Sequence, residues 1–280
     1  MKVRNPRRTA QSTGREAAAS HWLQWLARGG LVARGVNYML IGLLAGQIAF
    51  GSKGKRADSA GALHAVAGQD GGIVVLWLLA AGFAGLALWR LAEAGYGQAG
   101  RRGHTAGKRL VSLGLGAFYG FVSAGIVAFI LGTGSQSSGN AESQDLTAKV
   151  MAHPGGRWLV IGIGIGLFAA GVGLAAYGLR KQFTKVLDTA QMSARTRKAV
   201  EFLGMAGNVA RGVVFGVAGV LLVIAAVTFD PKEAQGLDGS LRKIATTPLG
   251  PWLLVAVALG LVTFGVYSCC EARWRVLRPG

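Results

Sequence analysis

The sequence predicts an all-α polytopic membrane protein: a helix bundle of six transmembrane helices, arranged as three parallel two-helix repeats with short outer surface helices. Hydrophobic residues make up 51% of the chain and charged residues only 15%, too few to cover the surface of a soluble protein of 280 residues. The basic residues are also confined to alternate loops. The third observation is internal repetition of long apolar segments in three pairs: 31–50 with 73–92, 110–131 with 157–179, and 205–229 with 252–270.

The length of these segments defines their structure. A helix needs about 20 mostly apolar residues to cross the hydrocarbon core, and all six segments reach or approach that length. Backbone polar groups in lipid must be satisfied within the segment, so each segment is expected to be a helix. The predicted organisation is one membrane domain preceded by a tail: a basic cytoplasmic tail with an amphipathic helix at 1–30, and repeats at 31–96, 110–183 and 203–274.

The charge distribution predicts the orientation in the membrane. The net charge is +18, and Lys and Arg concentrate in the first tail, the 97–109 and 180–204 loops, and the last tail. The alternate loops hold fewer basic residues and most of the acidic ones. This is the positive-inside pattern, so both termini are expected in the cytoplasm, with the basic residues facing anionic lipid head groups rather than nucleic acid.

The segments between the two helices of each pair share a design. Asp58, Asp145 and Asp238 each precede apolar residues at helical spacing and are predicted N-caps, and a Gly or Pro turn follows each segment. Each repeat is therefore helix, outer helix, helix. Because each repeat has an even number of spans, successive repeats enter the bilayer in the same orientation, which predicts a pseudo-threefold axis along the membrane normal. The pattern leaves open whether this axis is a pore or a packed seam.

Glycines inside the spans predict close helix packing. Small residues four apart allow membrane helices to approach closely, and van der Waals contact then drives their association. The glycines predicted to pack in this way are Gly35, Gly42, Gly46, Gly116, Gly120, Gly162, Gly166, Gly212 and Gly216.

Two arginines lie about one turn inside the spans. Arg34 and Arg211 lie in matched Ala-Arg-Gly-Val motifs. Glu93 and Glu271 lie near the inner ends of the partner helices. An antiparallel hairpin would pair Arg34 with Glu93 and Arg211 with Glu271 as structural ion pairs. The middle repeat has Leu115 and Tyr177 at these positions, so both partners are missing together. A site for an anion or a lipid phosphate around Arg34 and Arg211 is the alternative.

At these residues the chain resembles the domain-of-unknown-function 1206 family of bacterial membrane proteins. The similarity includes the Ala-Arg-Gly-Val starts at Arg34 and Arg211, the stretch 177–183 and the stretch 203–213, and it covers nearly the whole chain apart from the tails. The resemblance implies three copies of a two-helix unit in the bacterial cytoplasmic membrane. It implies no activity and no catalytic or binding residues.

No motif in the sequence indicates catalysis. The Gly-rich stretch at 95–100 follows a membrane helix rather than a strand, and the four histidines lack metal-ligand spacing. We therefore expect a protein that is not an enzyme and needs no cofactor or metal. It would be a structural or accessory envelope component that contacts another membrane protein or a second copy of itself. The alternative is a small-solute or ion channel or transporter that uses the repeat axis, with five candidate lining residues: Asn37, Gln47, Ser112, Ser123 and Asn208.

Overall fold

The computed structural model describes residues 21–50, 59–96, 106–133, 139–235, 237–245 and 250–276. Within these ranges the chain forms α-helices joined by short turns, and no β-strand. Six of the helices are long and apolar enough to cross a membrane. They are α1 (His21–Ala49), α3 (Gly72–Tyr96), α4 (Ala106–Ile130), α6 (Gly156–Leu179), α7 (Ala194–Thr228) and α9 (Gly250–Trp274). The prediction of an all-α polytopic membrane bundle is confirmed.

Three shorter helices lie between the paired spans, as the sequence predicted: α2 (Ser59–Ala67), α5 (Gly139–Met151) and α8 (Leu237–Ala245). Two of the predicted caps are wrong. Asp145 lies in the middle of α5, which begins six residues earlier, and Asp238 lies inside the first turn of α8, where its carboxylate accepts from Arg242 at 2.8 Å. The third predicted cap, Asp58, lies outside the described residues.

The span helices extend beyond their apolar segments on the predicted cytoplasmic side. Residues 21–26, predicted as part of a separate surface helix, continue directly into the span within α1. α7 begins at Ala194, inside the predicted 180–204 loop, because the Ser193 side chain accepts a hydrogen bond from the Thr196 amide and caps the helix. The rest of that loop forms two 3₁₀ turns, Gln182–Val186 and Thr189–Gln191.

The chain divides into two compact units: Met1–Arg34 with Gly71–Gly134 and Ser268–Gly280, and Gly35–Asp70 with Ser135–Tyr267. In the first unit, α3 packs along α4 and against the start of α1, where a Cβ on Gly30 would lie 2.6 Å from the Gly82 carbonyl oxygen. In the second unit, α6 packs along α7, and α9 packs against the rest of α1. An apolar core there contains Ile41, Leu44, Val214, Leu254 and Leu261, with Ala62 and Leu241 from the outer helices.

The helix neighbours follow one rule along the chain. The second span of one repeat packs against the first span of the next: α3 against α4 and α6 against α7. The second span of the third repeat, α9, likewise lies against α1 of the first. Contacts within a repeat also occur, between α1 and α3 and between α7 and α9. The pseudo-threefold axis stays a prediction.

Candidate functional site

The most deeply buried ion pair of the spans lies in the first unit, near the start of α1. The Arg34 Nη2 group donates to Glu271 Oε2 at 2.6 Å, and the Arg34 and Glu271 side chains are only 9% and 6% exposed. The Arg34 Nε group donates to Ser268 Oγ at 3.0 Å, and that hydroxyl donates to the Leu31 carbonyl at 2.7 Å. Arg275 supplies a second guanidinium to the other oxygen of Glu271. We call these residues, Arg34, Ser268, Glu271 and Arg275, the inner clasp.

A second charged pair lies in the same unit. The Arg90 Nη1 group donates to Glu93 Oε2 at 2.8 Å, one turn along α3, and the buried Ser112 hydroxyl of α4 reaches the same oxygen at 3.4 Å. Trp89 joins this pair to the inner clasp, because the Arg90 and Arg275 guanidinium carbons each lie 4.6 Å from its ring centroid. Five charged side chains of the first unit thus bond to one another: Arg34, Arg90, Glu93, Glu271 and Arg275.

The predicted pairing of these residues is wrong. The structure joins Arg34 to Glu271, not to Glu93, and Glu93 to Arg90. The reason is the face of α1 that each residue occupies: Ala33 contacts α3, where a Cβ on Gly82 would lie 2.6 Å from the Ala33 methyl carbon. Arg34 is about 100° further around the axis, on the side of α9.

The rule for helix neighbours explains why a single inner clasp forms among three equivalent positions. Glu93 on α3 faces α4, which has Leu115 at the arginine position and uses Ser112 instead. Tyr177 occupies the glutamate position on α6, which packs against α7, the helix that carries Arg211. Among the described residues of each unit, the contact of α9 with α1 is the one between spans that joins an arginine to a glutamate. The joint absence of both partners from the middle repeat therefore did not indicate pairing within a repeat.

Arg211 has a different environment in the second unit. Its Nε group donates to the Tyr38 hydroxyl at 3.2 Å. Its guanidinium carbon lies 4.2 Å from the Phe264 ring centroid, 5.0 Å from that of Tyr38 and 5.9 Å from that of Phe215. Glu271, the partner predicted for Arg211, bonds to Arg34 and Arg275 in the first unit. The pairing of Arg211 with Glu271 stays a prediction.

Several predicted glycines do permit close packing. A Cβ on Gly42 would lie 2.8 Å from the Ala258 carbonyl oxygen, one on Gly116 2.9 Å from the Leu91 side chain, and one on Gly212 2.6 Å from the Gly171 carbonyl oxygen. Gly35 also lies close to α9, because a Cβ on Gly265 would be 2.6 Å from its carbonyl oxygen. Gly46, Gly120 and Gly216 make looser contacts, since the nearest atom to an added Cβ lies 3.9 to 4.0 Å away.

Gly162 and Gly166 do not pack, because an added Cβ would meet nothing within 4 Å at either position. The glycines of α6 that contact α7 are Gly164, Gly171 and Gly178, all buried. Their spacing of seven residues keeps them on one face of a helix, as in a coiled-coil seam. The seven-residue spacing is visible in the sequence, but the prediction followed the four-residue spacing of Gly162 and Gly166 instead.

A groove of about 580 Å³ runs between α6 and α7 in the second unit. Its lining is apolar and includes Phe168, Val172, Val213 and Val220, and Lys243 of the outer helix α8 is its single charged residue. Phe168, Val172 and Val220 are 46%, 54% and 43% exposed. The groove is thus an apolar surface of the spans and offers no polar path through them.

The candidate channel-lining residues mostly bond to the helices that carry them or to their neighbours. The Ser123 hydroxyl donates to the Ala80 carbonyl at 2.9 Å, joining α4 to α3, and Ser112 bonds to Glu93. The Asn208 amide donates to the Gly204 carbonyl at 2.7 Å and is buried. Asn37 is half-buried, and Gln47 is exposed.

Comparison with known proteins identifies the family of this chain. The sequence model of a family described as Domain of Unknown Function (DUF1206) matches the chain three times, over residues 29–97, 111–181 and 206–275. These matches lie over the three predicted repeats. An uncharacterized protein, YxxB, of Bacillus subtilis strain 168 is 31% identical over 252 residues, which span 88% of this chain and 89% of the relative. No solved structure is significantly similar to the chain.

Proposed function

The chain belongs to the family described as Domain of Unknown Function 1206, and from this premise we propose that it is a structural or accessory protein of the bacterial cytoplasmic membrane and not an enzyme. The relative found in Bacillus subtilis is uncharacterized and supplies no activity. The proposal is therefore argued from the way the described residues use their polar groups.

The observation that carries the proposal is the internal use of polar side chains within the spans. Ser123 and Asn208 donate to backbone carbonyls of the spans, and Arg34 and Glu271 close the inner clasp. Ser123 and the pair of Arg34 with Glu271 join neighbouring helices, and Asn208 bonds within α7. These polar groups would otherwise be unsatisfied in hydrocarbon. A conduction path instead needs such groups, or a gated constriction, along its walls.

The exposed surface supports a role in contact with the bilayer or a membrane partner. Only 17% of the most apolar window of α6 and 22% of that of α4 are buried, against 50% for α3 and α9. Large apolar side chains such as Trp158, Leu159 and Ile163 are half or more exposed on α6. This surface suits lipid, another membrane protein or a second copy of the chain.

The proposed orientation places both termini in the cytoplasm, with the basic residues against anionic lipid head groups. Among the described residues, Lys181 and Arg197 lie in or beside the loop at the inner ends of α6 and α7, whereas the opposite side carries the outer helices. The excess of basic residues on one side is the physical basis of this assignment. The basic charge is directed to the membrane surface and not to nucleic acid.

The test of this proposal is a flux measurement on the purified full-length chain in liposomes. We expect the permeability to small ions and neutral solutes to equal that of liposomes with an unrelated membrane protein. In cells, deletion of the gene should increase the uptake of an otherwise excluded dye, and the wild-type chain should restore exclusion. A steady solute flux that Arg211→Gln abolishes, with no effect of the deletion on dye exclusion, would refute the structural role.

A second candidate function is an ion channel or transporter on the repeat axis, and one observation favours it. Arg211 lies inside the span and has no carboxylate partner among the described residues of its unit. Arginines without a counter-ion at membrane depth commonly mark anion pathways. The same flux measurement distinguishes this function from the first.

A further inference from the structure

Arg34 and Arg211 occupy the same position in two repeats but have opposite electrostatic environments. Arg34 is 8% exposed and bonded to the carboxylate of Glu271. Arg211 is half-buried, and its neighbours are three aromatic rings. The Arg34 charge is therefore balanced by a bonded carboxylate, whereas no carboxylate among the described residues of the second unit bonds to Arg211.

Aromatic contacts hold the Arg211 guanidinium in place without neutralising it. Tyr38 packs edge-on against Phe264, with ring centroids 4.8 Å apart, and both rings contact the guanidinium. Phe264 comes this close to α7 because Gly207 lacks a side chain, since a Cβ there would lie 2.8 Å from the Phe264 amide nitrogen. Cation–π contacts stabilise the cation but leave its full charge. We call Tyr38, Phe215 and Phe264 the aromatic shelf.

The hydrogen-bonding groups of Arg211 are only partly used. Among the described residues the side chain makes one hydrogen bond, from Nε to Tyr38. A guanidinium has five N–H donors in a planar fork, so the donors of the two Nη groups are unused among the described residues of the second unit. No Asp or Glu among the described residues of the second unit bonds to Arg211, and Tyr177 takes the position that glutamate has in the other two repeats.

The position of Arg211 on α7 separates it from the apolar groove. Gly212 and Gly216 face α6, and Gly207 and Ala210 face α9. With about 100° between successive residues, Arg211 lies between these two faces and opposite the groove residues Val213 and Val220. α7 rises about 25 Å from Arg211 to its end at Thr228, so Arg211 lies within about one turn of the inner boundary of a hydrocarbon core roughly 30 Å thick.

From this geometry we propose that Arg211, held on the aromatic shelf, is a binding site for a phosphate-type oxyanion at the inner end of α7. The planar fork of arginine binds two oxygens of a phosphate at once, and such charge-assisted contacts are stronger than neutral hydrogen bonds. The oxyanion comes either from the head group of an anionic lipid or from free phosphate. The site stands independently of the proposed structural role, because binding without flux is compatible with it.

The test is calorimetric titration of the purified full-length chain in detergent with two probes, short-chain phosphatidylglycerol and inorganic phosphate. Arg211→Gln should bind the preferred probe at least about tenfold more weakly, as expected from the loss of charge-assisted hydrogen bonds. Arg211→Lys keeps the charge but not the fork and should bind with intermediate affinity. If Arg211→Gln does not fold, Arg211→Lys takes its place in the binding test. The matched control is Arg34→Gln, whose binding should equal that of the wild type.

The pattern of results identifies the source of the anion. Binding of phosphatidylglycerol alone assigns the site to lipid head groups, and binding of inorganic phosphate as well assigns it to a free anion. The proposal is overturned if neither probe binds, if Arg211→Gln binds as tightly as the wild type, or if Arg34→Gln loses affinity equally. Wild-type affinity in Arg211→Lys would overturn the two-point contact. Solute flux through Arg211→Gln liposomes bears on the structural role and not on this site.

Discussion

Replacing Arg34 by glutamine should destabilise the protein by removing the cation that joins α1 to α9. The substitution breaks the bond to Glu271 at 2.6 Å and the bond to Ser268 at 3.0 Å, both buried. Glutamine retains a donor for at most one of them. The buried carboxylate would then depend on Arg275 alone.

The size of the effect follows from two limits. Removing one partner of a buried ion pair in a soluble protein costs about 3–5 kcal/mol. Polar contacts between membrane helices average about 0.6 kcal/mol and reach about 1.7 kcal/mol. Because Arg34 bonds to both Ser268 and Glu271 while Glu271 retains Arg275, we expect a loss of about 2 kcal/mol in the free energy of unfolding.

The assay is unfolding of the purified chain in mixed micelles by increasing SDS, followed by circular dichroism of the helices. A double-mutant cycle with Arg34→Gln, Glu271→Gln and the combined variant measures the coupling between the two side chains. We expect a coupling of about 1–1.7 kcal/mol, in the upper part of the range for polar contacts between membrane helices. Glu93→Gln in place of Glu271→Gln is the matched control and should give a coupling near zero.

Charge reversal tests the corrected pairing. Arg34→Glu should destabilise the protein more than Arg34→Gln, because two carboxylates then meet in a buried place. Glu271→Arg should rescue it only in part, since the new arginine lies beside Arg275, and Glu93→Arg should not rescue it. A coupling below about 0.5 kcal/mol with Glu271, or rescue by Glu93→Arg, would refute the reasoning.

Three further predictions follow from the packing and the topology. Gly171→Leu should lower the free energy of unfolding in SDS by about 2–3 kcal/mol, because the leucine side chain forces α6 away from α7. The matched control, Gly162→Leu, should change the free energy of unfolding by less than about 0.5 kcal/mol. Equal effects of the two substitutions would contradict the heptad seam. Glu201→Gln should lower the free energy of unfolding by at most about 1 kcal/mol, because its partners Lys181 and Arg197 are half-exposed. A loss as large as that expected for Arg34→Gln would contradict this prediction. In a variant without the native cysteines, an impermeant maleimide should label His153→Cys in intact cells and Lys198→Cys only after permeabilisation; the reverse pattern would invert the topology.

The outer helices show where sequence patterns suffice and where they do not. Apolar residues at helical spacing predicted α2, α5 and α8, because that spacing is a local property of each segment. Their starts were predicted less well. Asp145 has the side chain of a cap, but α5 begins earlier, and Asp238 bonds to Arg242 one turn later. An Asp has several local hydrogen-bonding options, and the surrounding structure selects among them.

The glycines likewise show which part of the helix packing could be predicted from sequence and which part could not. The sequence predicts that α6 and α7 approach closely, since glycines recur in both. It does not show which face of α6 makes the contact. Spacings of four and of seven residues coexist in α6. The heptad of Gly164, Gly171 and Gly178 meets α7, whereas a Cβ added at Gly162 or Gly166 would meet nothing within 4 Å. The choice depends on the rotation of the helix about its axis, which the partner decides.

Length, hydropathy and repetition determined from sequence alone that this chain crosses a membrane six times in three copies of a helical hairpin. These properties suffice because lipid cannot hydrogen-bond an exposed backbone, so a long apolar segment has no alternative to a helix. The pairing of charges required the tertiary structure. Glu93 and Glu271 lie at similar predicted depths in the bilayer, so the sequence allows Arg34 to pair with either of them. The rotation of α1 about its axis places Arg34 beside Glu271. In the second unit, Arg211 of α7 instead lies against the aromatic rings of Tyr38 and Phe264.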